Sequence, residues 1–108
     1  MSNELRGATA PGMTCYAMVL NSAGKFWDTV TETFVSFDTN SYSDYLITML
    51  EQGSTGIYLG DFPVTITSSG TYEYFIKRQS DASPAQDDPI VNTGKLDWTG
   101  SSIWFGDY

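Results

Sequence analysis

Turn signals interrupt this sequence again and again: Asn21-Ser22-Ala23-Gly24, Asp38-Thr39-Asn40-Ser41, Gly53-Ser54-Thr55-Gly56 and Ser68-Ser69-Gly70. The runs between them are too short for ordinary helices and long enough for strands, so the chain is constrained to many short strands joined by polar turns. Residues 71–79 show the period best. Tyr72, Tyr74 and Ile76 fall on one side and Glu73, Phe75 and Lys77 on the other, the alternation of a pleated strand.

The remaining runs follow the same logic. In residues 14–20, Tyr16, Met18 and Leu20 share one face and Cys15, Ala17 and Val19 the other; both faces are apolar, which predicts a central strand. Residues 25–30 start a hairpin partner with Phe26 or Trp27 facing the core, and 31–38 are rich in β-branched and aromatic types. Residues 42–52 read two ways. Ser43-Asp44 could cap a short helix carrying Tyr45, Met49 and Leu50, but the strand-like neighbours favour a turn at 41–44 and a strand at 45–51. Short strands are expected at 57–62 and 64–67, with Pro63 as a break, and a last one at 90–98 with Gly94 as a bulge. Two echoes, Thr55-Gly56-Ile57-Tyr58 and Ser69-Gly70-Thr71-Tyr72, each set Gly two residues before a Tyr. In sandwich domains such a Tyr reaches back to hydrogen-bond the connecting backbone.

The expected fold class is therefore all-β: an antiparallel, immunoglobulin-like β-sandwich of seven to eight short strands. Its expected organisation is a flexible or docking N-terminal arm at 1–12, the sandwich at 13–98 and an aromatic C-terminal tail at 99–108. A chain of 108 residues can bury roughly 65% of its unfolded surface, enough for one core.

Composition excludes several functions. There is no His and one Cys, so neither an imidazole-dependent triad nor a Cys/His zinc site can be built. A formal charge of −8 makes nucleic acid an unfavourable partner. No apolar run is long enough to span a bilayer, and the first twelve residues lack the apolar core of a signal peptide; neither membrane nor export by that route is expected. Cys15 reads as a small buried strand residue, with an intermolecular disulfide as the other reading. Thirteen acids offer many carboxylate pairs, but a chain this small has little material for a hydrolase cleft. No catalytic residue, metal ligand or cofactor is assigned, and an enzyme is not expected.

The remaining candidates are a loop, a basic pair and the aromatics. Asp81 to Pro89 is the longest loop; it reads as a solvated acidic turn, or as a weak Ca²⁺ site if its carboxylates converged. Lys77-Arg78 reads as a solvated pair near a strand end. Trp27 and Trp98 lie inside strand runs, where they serve the core or, if turned outward, stack on a ligand such as a sugar. Ile103, Trp104, Phe105 and Tyr108 lie past the last strand and must be buried somewhere, against the chain's own sheet or on a neighbouring subunit. Each ring buried is worth about 1.5–3 kcal/mol, so such a tail can act as a latch.

Four stretches together resemble a known type of module: Tyr16 to Trp27, Glu51 to Pro63, Ser69 to Gln79, and Ser83 to Trp98 with its Gly94-Lys95-Leu96-Asp97-Trp98 ending. They are similar to small β-sandwich modules of tailed-bacteriophage virion proteins, which stand alone on capsids or are appended to fibre, neck or tail proteins. The resemblance covers roughly residues 14–98. It implies a non-enzymatic virion structural protein assembled in the host cytoplasm, a capsid decoration (cement) or accessory subunit. Its partners would be the major capsid or a tail or neck protein and further copies of itself, for instance in a trimer, with Ile103, Trp104, Phe105 and Tyr108 as docking residues. The other expectation is a carbohydrate- or host-surface-binding module of a fibre or adhesin.

Overall fold

The computed structural model describes residues 4–101. Nine strands form among them: β1 Leu5–Ala8, β2 Cys15–Leu20, β3 Phe26–Asp28, β4 Thr33–Val35, β5 Ile47–Thr48, β6 Leu50–Glu51, β7 Ile57–Gly60, β8 Gly70–Arg78 and β9 Ile90–Trp98. A 3-10 helix, Thr39–Tyr45, is the one helical element among the described residues. The strands make two antiparallel sheets, a small one in the order β1-β7-β6 and a large one in the order β4-β3-β2-β8-β9, with β5 also on β2. The all-β sandwich expected from the turn spacing is what forms.

The core lies between the sheets. Leu5, Tyr58 and Phe62 come from the small-sheet side; Cys15, Ala17, Val19, Trp27, Tyr72, Ile76, Leu96 and Trp98 come from the large one. The apolar second face of β2 is buried too. Tyr16 and Met18 carry a second cluster with Tyr42 and Tyr45, flanked by Phe26, Val35 and Leu46. The 3-10 helix lies over this outer face, and Thr29 ties it down with two hydrogen bonds to the Asp44 carbonyl, both 2.8 Å. Central placement of β2 follows, as a strand apolar on both sides requires.

Residues 41–52 form a helical turn and then a strand that divides at Met49. Its first half, β5, pairs with β2 of the large sheet and its second, β6, with β7 of the small one. A strand that changes sheets makes a corner of the sandwich, and the buried Met49 fills it.

Several expectations need correction. The segment 1–12 holds a core strand: β1 pairs with β7 in the register Leu5↔Gly60 to Ala8↔Ile57, and Leu5 is wholly buried. The stretch 5–8 does not look like a core strand because Leu5 is its one large apolar side chain, Arg6 and Ala8 point outward, and Gly7 is needed for close approach. A Cβ on Gly7 would sit 3.0 Å from the Asn92 Oδ1 and 3.1 Å from Ile76. Residues 64–67 form no strand; the Ile66 N–H donates to the Pro63 carbonyl in a turn, 3.1 Å, and only Ile66 is anchored in the core. The bulge of β9 falls at Val91, where pairing steps from Ile76↔Asn92 to Lys77↔Ile90. Gly94 pairs regularly with Tyr74, whose ring occupies the place a Cβ would take.

The corner tyrosines part ways. The Tyr72 hydroxyl donates to the Ser68 carbonyl four residues upstream, 2.7 Å, the backward reach expected of it. The Tyr58 hydroxyl instead crosses to the β1–β2 connection, donating to the Ala10 carbonyl at 2.8 Å and accepting from the Met13 N–H at 2.9 Å.

Candidate functional site

The two tryptophans proposed for ligand stacking are both core residues. Trp98 is 2% exposed, packs on Phe62 with ring centroids 4.4 Å apart, and donates its indole N–H to the Ile66 carbonyl at 2.7 Å. That bond satisfies the backbone of the loop following Pro63, so Trp98 has no free face for a sugar. Trp27 is 4% exposed and meets Phe34 edge to face at 5.0 Å. Its indole N–H makes no hydrogen bond to another described residue, and the side chain lines a cleft. Ile103, Trp104, Phe105 and Tyr108 lie outside the described residues.

Carboxylates in this protein mostly hold backbone. Asp28 accepts from Val30 N–H and Thr31 N–H, Glu51 from Gly12 N–H and Gly56 N–H, and Glu4 from Phe62 N–H, all between 2.8 and 3.0 Å. Among the described residues no group of three His, Cys, Asp or Glu side chains converges as a metal site would require.

The acidic loop and the basic pair, expected to be solvated, contain a buried polar chain on the outer face of the large sheet. Lys77 is only 7% exposed; its Nζ donates to the Gln86 carbonyl at 2.7 Å and to the Tyr42 hydroxyl at 3.3 Å. The Tyr16 hydroxyl donates to the Asp88 carboxylate at 2.7 Å and lies 2.8 Å from the Tyr42 hydroxyl. Asp88, also buried, accepts from the Ala85 N–H at 2.9 Å and the Ser80 N–H at 3.1 Å. A buried ammonium and a buried carboxylate thus sit at the two ends of a line of hydroxyls. Burial by itself raises the Asp88 pKa. The hydrogen bonds from Ala85, Tyr16 and Ser80 and the charge of Lys77 outweigh it and hold the group below the usual carboxylate value. Burial, reinforced by the bonds to Tyr42 and Asp88, pushes the Tyr16 phenol far above its ordinary range. The Asp88 oxygens are committed to protein donors, so this residue latches the loop to the sheet. Sequence reasoning missed this chain, although one sign was present. An apolar outer face on β2 demands a cover, and Lys77 lies on that face directly opposite Tyr16.

Cys15 is buried in the main core, away from any exposed surface where an intermolecular disulfide could form. Burial, the largest influence, raises its thiol pKa; Glu51 adds to this and Arg78 opposes it. The thiol is an inert packing group.

The outer face of the small sheet is different. Leu50 pairs with Leu59, and Ile57 lies two residues before Leu59 on the same face. Leu50 is 66% exposed and Ile57 48%, with Leu59 half-buried between them and Ala8 opposite Ile57. Among the described residues, no element packs over Leu50 and Ile57 as the 3-10 helix does over the large sheet.

A third feature lies where the β3–β4 hairpin meets the loop before β8. There a cleft of about 430 Å³ is lined by Trp27, Phe34 and Tyr72, by the rim residue Glu32, and by the hydroxyl-rich stretch 65–71. Phe34 and Tyr72 lie ring on ring, 5.6 Å apart and 9° from parallel. The hairpin is shaped by Asp28, whose side chain takes two loop N–H groups and whose carbonyl accepts from the Glu32 N–H at 2.8 Å. That closure sets Glu32 at φ 57, the left-handed region, at a cost of about 1 kcal/mol for a residue with a Cβ. Glu32 is the one non-glycine residue in that region among those described. No signal in the sequence could have found this cleft, because its walls come from segments some thirty residues apart.

Comparison with family models, with curated proteins and with solved structures gives no match to this chain. Among the described residues no helix is long and apolar enough to cross a membrane.

Proposed function

We propose that this chain is a non-enzymatic structural subunit of a bacteriophage particle, a capsid decoration (cement) or accessory protein that ties neighbouring subunits together. The observation that carries the assembly role is the contiguous aliphatic face of Leu50, Ile57 and Leu59 on the small sheet. Contiguous exposed aliphatics on a rigid sheet are the usual mark of a contact surface. The virion setting rests on the turn and strand motifs described above. Three aliphatic side chains cover much less than the about 800 Å² per partner of a standard interface, so a second contact is required. Ile103 and the aromatic residues Trp104, Phe105 and Tyr108 supply it in this reading. The sandwich is the rigid block, and the face and the tail together bury apolar surface across subunits.

The solution mass by light scattering tests this, for the full chain and for a version lacking residues 99–108. An oligomer, such as a trimer, that becomes a folded monomer on truncation is the expected result; a monomer in both forms overturns self-assembly. Mass spectrometry of particles purified from cells that carry the gene tests the setting. The chain should be present at fixed stoichiometry, and its absence from particles overturns the virion role.

A further inference from the structure

We propose that the cleft formed by Trp27, Phe34, Tyr72 and the 65–71 loop is a binding site for a neutral carbohydrate, with Glu32 as the hydroxyl-recognising acceptor at its rim. This inference does not rest on the assembly role.

The lining chemistry selects the ligand class. Sugars offer two things to a protein: patches of C–H that lie on aromatic rings, and hydroxyl groups that both donate and accept hydrogen bonds. The cleft offers the complement of each. Phe34 is half-buried and held by its stack on Tyr72, so one aromatic surface is fixed before any ligand arrives. Trp27 adds an indole N–H that makes no hydrogen bond to another described residue, in contrast to Trp98, whose N–H is spent on Ile66. No buried side-chain polar atom among the described residues lacks a partner, so this N–H reaches the surface, and the cleft that Trp27 lines is where a ligand would meet it. Around these rings stand Ser22, Thr33, Thr65, Thr67 and Ser69, groups that donate and accept alike.

Charge narrows the class further. No Lys or Arg lines the cleft, and its one charged group is Glu32. With a net charge of −8 over the chain, phosphates, sulfates and uronic acids are repelled. A carboxylate is, however, a strong acceptor for two vicinal hydroxyls. The position of Glu32 agrees with that use. It is exposed, makes no side-chain hydrogen bond to another described residue, and occupies a left-handed backbone position that Gly or Asn would fill with less strain. Strain kept at a rim residue with an unused side chain points to a ligand. The volume is within the lower range of small-molecule sites, enough for one or two sugar rings.

The test is an NMR titration of the ¹⁵N-labelled full chain with maltotriose, cellotriose, chitotriose, mannotriose and galactose, and with trigalacturonate as the acidic control. At least one neutral sugar should shift the Trp27 indole N–H and the amides of 65–71 in a saturable way, with a dissociation constant below about 10 mM. Glu32→Gln should weaken that binding by about tenfold or more without lowering the melting temperature. Phe34→Ala should abolish it, and Glu32→Gln keeps the test decisive if Phe34→Ala loses stability. No shift at Trp27 with any of the neutral sugars overturns the proposal, as does binding indifferent to Glu32→Gln, or trigalacturonate binding as well as the neutral sugars. Light scattering of Glu32→Gln should give the same mass as the unaltered chain, which separates this site from assembly.

Discussion

The sandwich has two outer faces, and they are treated in opposite ways. Over the large sheet, the 3-10 helix and the loop 80–89 cover Tyr16, Met18 and Lys77, and every buried side-chain polar atom among the described residues has a partner. Over the small sheet, Leu50 and Ile57 are left exposed, with Leu59 half-buried between them. One face is largely covered within the molecule; the other leaves its aliphatic side chains at the surface. A small protein that can cover one apolar face with a seven-residue helix and a loop has the means to cover both. The assembly role proposed above rests on this difference.

Mutations that uncover the finished face should have the largest effect. Tyr45 is almost fully buried, packs on Phe26 and Phe37, and accepts from the Asp38 N–H at 2.9 Å. Tyr45→Ala should cost about 3–5 kcal/mol, read from urea unfolding, and should increase binding of a hydrophobic dye at that face. A loss under about 1 kcal/mol would mean that the helix is not part of the cooperative core.

The next largest effect is expected at the latch. Asp88→Ala leaves the Tyr16 hydroxyl and the N–H groups of Ala85 and Ser80 without their acceptor, and Lys77 without its buried counter-charge. A cost of about 2–3 kcal/mol is expected, together with faster amide exchange in the loop at 80–89. Unchanged exchange there would show that the latch does not hold the loop.

The latch also has a pH signature. The Asp88 pKa is lowered in the folded state, so its contribution is fully present above the unfolded carboxylate value of about 4 and disappears as pH falls through the lower folded value. The stability difference between the unaltered chain and Asp88→Ala should be constant from pH 7 to 5 and shrink below about pH 4. A difference that shrank already above pH 5 would contradict the lowered pKa.

On the bare face the stability effect should be smallest. Leu50→Asp or Ile57→Lys should change stability by no more than about 0.5 kcal/mol, because neither side chain is packed by its own chain. Under the proposed assembly role, the same variants should lower the solution mass measured by light scattering. If they unfold the protein instead, the two faces are not different after all.

Most of the fold was legible in the sequence. Turn residues and period-two alternation are local, so β2, β7, β8 and β9 and the turns at Gly24, Gly53 and Gly70 could be placed without any tertiary knowledge. The two apolar faces of β2 even announced a second core. What could not be read were pairings that depend on distant partners. Residues 64–67 alternate like a strand, yet Trp98, more than thirty positions later, takes the carbonyl of Ile66 and leaves the segment a loop. Leu5–Ala8 looks like a polar arm because only Leu5 among its side chains is large, apolar and buried, and its pairing with β7 lies some fifty residues away. Lys77 and Asp88 look solvated because charge is nearly always solvated; burial became tolerable only where Tyr16, Tyr42 and three backbone groups converged on them.

The sequence by itself determined an all-β chain, the position of most strands, and the exclusion of imidazole and thiolate-zinc chemistry, because each follows from residue type and local spacing. The tertiary structure decided which apolar face is covered, which tryptophan spends its N–H on the backbone, and where a cleft opens. Those properties arise from segments brought together across the fold, and no local period encodes which distant partner a side chain will meet.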